Sequence, residues 1–365
     1  MPILEKIVIS DFRNIELQEI EFSPNVNCIS GNNGEGKTNL LDAIYYLSMT
    51  KSAFATSDKF SFRHGTDEFS LSGSYRMENG LLSRFAMKMT SKGEKKVRRD
   101  DKPYTKVSEH LGILPIVMVS PSDISMVSES GEERRRFVNS VLSQMDREYL
   151  SALQQYNRLL LQRNRMLKET DLDRSLLEVI DMRMATYAEP VFQARRTFVD
   201  ELCPLVAEYY KAISGGSEHV DIMYDSELSK ASLDMLLEAS YDKDRVLKYT
   251  SSGVQRDDFI FMMNGHPIRR CGSQGQQKSF LVALKFAQYE IMKRKYGFAP
   301  ILLLDDVFDK LDMGRISNLL QMVASNDFGQ IFITDSNKVR MSGIVDKLTR
   351  DRAYFDTFQG TFTRI

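Results

Sequence analysis

Gly31-Asn32-Asn33-Gly34-Glu35-Gly36-Lys37-Thr38 fits the phosphate-binding pattern G-x-x-x-x-G-K-[ST]. Its flanks agree with it: Asn25 to Ser30 reads as a strand, and Asn39 to Ser48 (NLLDAIYYLS) as the helix that follows. Glycines let successive backbone N–H groups turn inward toward phosphate oxygens, and the helix N-terminus adds the positive end of its dipole. Lys37 is then placed to bridge the outer phosphates of a nucleotide, and the Thr38 hydroxyl to take one position on Mg²⁺. The bare pattern also falls in ordinary glycine turns, and the strand before it and the helix after it are what an accidental match lacks.

Working outward, the composition is that of a globular chain. Of 365 residues, 42% are hydrophobic and 27% charged, enough for two domains or for one domain with a large insertion. The net charge of −1 means that attraction to nucleic acid has to come from local basic patches. Cys28, Cys203 and Cys271 are scattered and odd in number, and read as reduced structural thiols. His64, His110, His219 and His266 lie far apart, without cysteine or carboxylate at ligand spacing, so zinc is not expected. The opening MPILEKIVISDF carries charge where a signal peptide needs an apolar run, and no stretch approaches the roughly 18 apolar residues of a membrane span. The expectation is a soluble, cytoplasmic protein with no membrane partner.

Before the loop, Leu4 to Phe12 and Ile15 to Phe22 alternate as two strands around an Arg13-Asn14 turn. After the first helix, Phe69 to Met77, Leu81 to Met89 and Lys95 to Tyr104 predict an antiparallel lobe. Lys92, Lys95, Lys96, Arg98 and Arg99 form the densest basic cluster, readable as a solvated face or as a phosphate contact. Arg134, Arg135 and Arg136 oppose the dipole of the helix they begin, so a DNA or partner surface is a natural use for them. From Asp146, three-four spacing of apolar residues predicts two antiparallel helices joined by Thr170 to Arg174, each of roughly 23 to 29 residues and about 35 to 44 Å long. They suit core helices or a helical arm equally, with a kink expected at Pro190. A helix from Ser229 to Tyr241 and a hairpin around Asn264-Gly265, from Arg256 to Met263 and from His266 to Cys271, follow.

That hairpin leads to Ser273-Gln274-Gly275-Gln276, with Ser273 a good N-cap for a helix over Ser279 to Lys295 and Gly275 leaving room for a phosphate. Ile301 to Leu304 is a buried strand ending in Asp305 and Asp306. Asp305 would hold Mg²⁺ directly or through water, and Asp306 would activate the attacking water. Asp309 and Asp312 come next, and Gln330 to Thr334, ending at Asp335, reads as the last core strand.

The order of phosphate loop, long insertion, S-x-G-Q helix, strand with two acids and D-loop (Asp312) resembles the ABC-type ATPases. Within them it resembles the SMC-related branch and, more narrowly, the bacterial RecF family. The residues carrying this are Ile9 to Asn14 (ISDFRN), the GNNGEGKT loop, Ser120 to Asp123 with GEERRRFVN, Gly253 to Asp258 (GVQRDD), SQGQQKS and LLLDDVFDKLD. The resemblance implies an α/β ABC-type head with an antiparallel β lobe and a helical arm insertion: head segments 1–145 and 216–365, arm 146–215. It implies ATP and Mg²⁺ as cofactors, and an ATP-dependent homodimer in which the loop of one subunit and Ser273 to Gln276 of the other share each nucleotide. It further implies weak DNA-stimulated hydrolysis, binding to gapped or junction DNA without regard to sequence, and cooperation with RecR and RecO in loading RecA. Gln255 stands where the family usually has histidine, no Q-loop glutamine follows Pro115 to Val119, and Asp306 replaces the glutamate of many ABC ATPases. A transporter subunit would carry a shorter insertion between Thr38 and Ser273, and an ATP-gated nuclease would need a further metal domain. An SMC-like organiser, or an ATPase serving a non-DNA partner, stays open.

Overall fold

In the computed structural model the described residues are 1–55, 57–129, 131–216, 218–308, 314–316, 318–319, 328–337 and 351–365. Fifteen strands follow one another along them. The first eight are β1 (Ile3–Phe12), β2 (Ile15–Glu21), β3 (Val26–Ser30), β4 (Glu68–Arg76), β5 (Leu82–Thr90), β6 (Lys95–Arg99), β7 (Lys102–Pro103) and β8 (Ile116–Val119). Then come β9 (Val220–Asp225), β10 (Asp258–Met263), β11 (His266–Pro267), β12 (Ile301–Asp305), β13 (Ile331–Asp335), β14 (Arg352–Phe358) and β15 (Thr361–Arg364).

One compact unit comprises Met1–Ile124, Ala212–Ser214 and Lys285–Ile365. It holds two six-stranded sheets, ordered β15-β14-β3-β13-β12-β8 and β2-β1-β4-β5-β6-β7. In the first, β14, β3, β13, β12 and β8 run parallel. The apolar runs Val26 to Ser30, Ile301 to Asp305 and Ile331 to Asp335 are buried at every position, as a sheet covered on both faces requires. The second sheet is antiparallel, and its strands alternate: Phe69, Leu71, Gly73 and Tyr75 point inward while Glu68, Ser70, Ser72, Ser74 and Arg76 point outward. The helix Lys37–Met49 touches strands of both sheets, so nearly all of it is buried, and Ile44, Leu47, Phe69, Phe85, Leu303 and Phe332 join one core.

The second unit comprises Ser125–Lys211 and Gly215–Leu284. It contains the helices Gly131–Met145, Arg147–Met166 and most of Arg174–Ser214, with the three-stranded sheet β11-β10-β9. It therefore takes in more chain than the 146–215 helices alone. Two helices do follow Asp146, which caps the first by accepting from the N–H groups of Glu148 and Tyr149. The second is 41 residues long, beyond the expected length, and contains Pro190 and Pro204.

Three further expectations change. The helix foreseen over Ser229 to Tyr241 is two short helices, Leu233–Ala239 and Tyr241–Leu247, parted at Ser240. The second hairpin strand stops at Pro267, which has no N–H to give a ladder, and Ile268–Cys271 turns helical. Most important, Gln330 to Thr334 is not the last core strand, because β14 lies on the other side of β3, parallel to it, and β15 folds back on β14.

Candidate nucleotide site and basic surfaces

The phosphate loop joins β3 to the helix Lys37–Met49. Its curvature depends on Gly36, whose φ of 116° is left-handed territory and whose Cβ, were there one, would lie 2.8 Å from Asn14 Oδ1. Asn14, in the β1–β2 turn, donates from Nδ2 to the Glu35 carbonyl at 3.1 Å and accepts from Asn39 Nδ2 at 2.7 Å. From the other side the β14–β15 turn grips the same residue: Gly360 N donates to the Glu35 carbonyl at 2.8 Å, and Gln359 N donates to the Glu35 carboxylate. Two hairpin turns remote in sequence thus hold one peptide of the loop. Asn32, Asn33 and Gly34 stay exposed.

Lys37 is buried, and its ammonium donates to the carbonyls of Gly31 at 2.8 Å and Asn32 at 3.0 Å. These are bonds that a nucleotide's phosphates can replace. Thr38 Oγ1 lies 3.0 Å from both carboxylate oxygens of Asp305. Two oxygens in adjacent octahedral positions on Mg²⁺, each about 2.1 Å from the ion, are roughly 3 Å apart, so the pair suits such an ion without rearrangement. Asp305 is 3% exposed, and its burial pushes the carboxyl above its ordinary range, against hydrogen bonds from Thr334 and Thr38. A desolvated carboxylate at the mouth of a phosphate loop is a site that a cation relieves. Among the described residues no three His, Cys, Asp or Glu side chains gather as a metal cluster.

Asp306 follows Asp305 with a φ of 42°, rare for a residue with a Cβ, and its N–H donates to Thr334 Oγ1 at 3.0 Å. The same hydroxyl donates to Asp305 Oδ1 at 2.7 Å. Sequence reading gave Thr334 and Asn14 no role at the site, and it passed over the Gln359-Gly360 turn. The alternation of Arg352 to Phe358 and the Gln-Gly pair after it were the available signal for the turn. Asp309 and Asp312 lie outside the described residues.

The Ser273 to Gln276 segment opens the helix Gln274–Tyr296, which begins earlier than expected. Gln276 N donates to Ser273 Oγ at 3.3 Å and Ser273 N to Gln276 Oε1 at 2.8 Å, a reciprocal capping box. Ser273 and Gln274 are exposed, and Gly275 is half-buried between them and the helix. Gln255 accepts a hydrogen bond from the Tyr156 hydroxyl and donates to the Ser252 carbonyl at 2.8 Å.

Alternation on β6 divides the basic cluster. Lys96 and Arg98 are exposed on one face. Lys95 turns the other way, pairs with Asp58 at 2.7 Å and donates to the Thr50 carbonyl, while Arg99 lies over Phe85 beside Asp100. The three arginines divide likewise. Arg134, 4% exposed, makes a two-pronged ion pair with Asp258, so it is a structural residue and not a surface one. Arg136 pairs with Glu132 and Glu133, and Arg135 donates to the Asp257 carbonyl at 2.7 Å. Arg135, Asn139, Asn157, Arg195 and Gln255 are among the residues lining a cavity of about 300 Å³.

Comparison with known proteins gives a consistent answer. The family model for the RecF/RecN/SMC N-terminal domain matches residues 3–353. DNA replication and repair protein RecF of Parabacteroides distasonis is 43% identical over 98% of this chain and 98% of its own length. The RecF protein of Bacteroides thetaiotaomicron is 41% identical over 100% and 99%. Among solved structures, the recombination mediator protein RecF with ATP, in the RecFOR pathway, superposes with a TM-score of 0.91 at 29% identity, covering 100% of this chain and 98% of that one. An Smc head domain from Pyrococcus furiosus, at a TM-score of 0.58 and 16% identity, shares the fold. With its phosphate loop, paired acids and capped S-Q-G-Q helix on that fold, the chain belongs to the RecF family of ABC-type ATPases of DNA replication and repair.

Proposed function

We propose that this protein is an ATP-switched DNA clamp of recombinational repair. It acts at gaps and single-strand/double-strand junctions, and helps RecO and RecR to load RecA. The observation that carries the reading is the Thr38–Asp305 pair at 3.0 Å beside a Lys37 ammonium that donates to two loop carbonyls. Lys37 would turn from those carbonyls to the outer phosphates of ATP, while the loop amides orient the rest of the chain of phosphates. Thr38 and Asp305 would hold Mg²⁺, which neutralises phosphate charge when bound. Asp306 would accept a proton from the attacking water, its carboxylate being shorter than glutamate and turnover correspondingly slow. The nucleotide would be shared with Ser273 to Gln276 of a second copy, so that ATP makes the dimer and hydrolysis releases it.

In this reading 1–145 and 216–365 form the head and 146–215 is the arm inserted between them. DNA phosphates would meet Lys96 and Arg98, with Arg135 a further candidate, and hydrolysis would be weak and DNA-stimulated. The test is anisotropy of a fluorescent gapped duplex with ATP, with ADP and without nucleotide, beside light scattering. ATP alone should give both dimers and tight binding in wild type, and neither in Lys37→Ala or Ser273→Arg. DNA binding indifferent to nucleotide and to Ser273→Arg would sink the clamp, and point to an organiser or to an ATPase serving some other partner.

A further inference from the structure

We propose that Thr334 is a positioning residue of ATP hydrolysis: one hydroxyl, shared between the two acids that end β12, sets the carboxylate of Asp305 and the peptide of Asp306 together. The inference rests on the reading of Asp305 and Asp306 given above. Thr334 is on β13, in register with Asp305 on β12, and is 0% exposed. Its hydroxyl has one proton to give and gives it to Asp305 Oδ1 at 2.7 Å; it accepts the Asp306 N–H at 3.0 Å. Both roles matter because both acids need support. Asp305 is buried, with hydrogen bonds to its carboxylate from Thr38 and Thr334 and the charge of Lys37 acting on it, so those two hydroxyls orient it. Asp306 holds a left-handed backbone that a residue with a Cβ adopts only when its surroundings enforce it.

The arrangement makes Thr334 a relay. When Thr38 exchanges its bond to Asp305 for a metal ion, the Thr334 hydroxyl is, among the described residues, the side-chain donor left on that carboxylate. Through the same oxygen any movement of Asp305 reaches the Asp306 peptide. A methyl group in place of the hydroxyl would fill the same space but remove both the acceptor of the Asp306 N–H bond and the donor to Asp305 Oδ1.

The test uses the full chain with Thr334→Val and Thr334→Ser, alone and combined with Asp306→Asn. Thr334→Val should lower kcat by about tenfold to a hundredfold, the scale of a misplaced catalytic group, while KM for ATP moves by no more than about twofold. It should also raise the Mg²⁺ concentration needed for half-maximal binding of a fluorescent ATP analogue, and Thr334→Ser should restore both. In the Asp306→Asn background Thr334→Val should cost kcat little, since the two act on one step. A Thr334→Val enzyme with wild-type kcat and Mg²⁺ dependence overturns the proposal. So does a Thr334→Ser enzyme that fails as badly as Thr334→Val, which would assign the threonine to packing through its methyl. If Asp306→Asn alone turns over normally, the role given to Asp306 is what fails, and the Mg²⁺ titration still reports on the bond to Asp305.

Discussion

His110 shows how much one side chain can decide when it is fully buried. Its Nε2 lies 2.6 Å from the Leu47 carbonyl and its ring meets Phe85 and Tyr104 edge-on, and burial lowers its pKa from 6.5 to about 4. The unfolded chain takes up a proton near pH 6.5 and the folded chain resists until about 4. Stability from this residue is therefore complete above pH 6.5 and is lost as pH falls through that window, by roughly 1.4 kcal/mol per pH unit. Urea denaturation at pH 7.5 and pH 5 should show that loss in wild type, and a flatter profile in His110→Phe, which keeps the ring contacts. The same scale explains why the sequence misled about charge. Arg134 reads as part of a basic run until its partner is known, and that partner, Asp258, lies 124 residues later, where no local pattern reaches it. Lys95 fails as a surface residue for a different reason, namely that strand alternation puts it on the side of Asp58. By contrast the strand–loop–helix that carries Lys37 and Thr38 was legible, because a phosphate-loop pattern is contiguous, with glycines, cation and hydroxyl at fixed offsets.

Among elements, the β14–β15 hairpin has the largest consequence for the site. Gly360 has a φ of 79°, and a Cβ there would run into the Asn14 carbonyl oxygen. Gly360→Ala should therefore cost about 1 to 3 kcal/mol of stability. Because the hairpin also fixes Glu35, the substitution should raise KM for ATP more than it lowers kcat. Calorimetry and steady-state kinetics on the same preparation would check both, and an unchanged KM would count against the grip on the loop. The parallel strands β3 and β12 announced themselves as apolar runs next to motifs. The hairpin carries only the ordinary alternation of an edge element, so its place beside β3 could not be read without the sheet order.

For the whole molecule, a net charge of −1 makes any affinity for DNA a matter of where cations stand free. Lys96 and Arg98 stand side by side on the outer face of the β lobe, whereas Lys95 is tied to Asp58. Replacing Lys96 and Arg98 with alanine should reduce the slope of log K against log salt by about 1.8, if each releases one phosphate's counterion, and Lys95→Ala should leave it unchanged. Equal slopes for wild type and both variants would move the DNA surface elsewhere. The α/β head and its antiparallel lobe were readable because periodicity changes from continuous to alternating between them. The extent of the second unit was not, since it is built from segments on both sides of the two long helices.

The neighbours of β3 are β13 and β14, both encoded after residue 330. On the ribosome, at 5 to 20 residues per second, the strand leading into the phosphate loop emerges and then waits for about 300 residues, on the order of 15 to 60 s, before either neighbour exists. Through that interval its apolar edges are open to wrong partners, and the segment must be shielded or stay unfolded. The nucleotide site is thus among the first parts of the protein to be translated and among the last that can be completed.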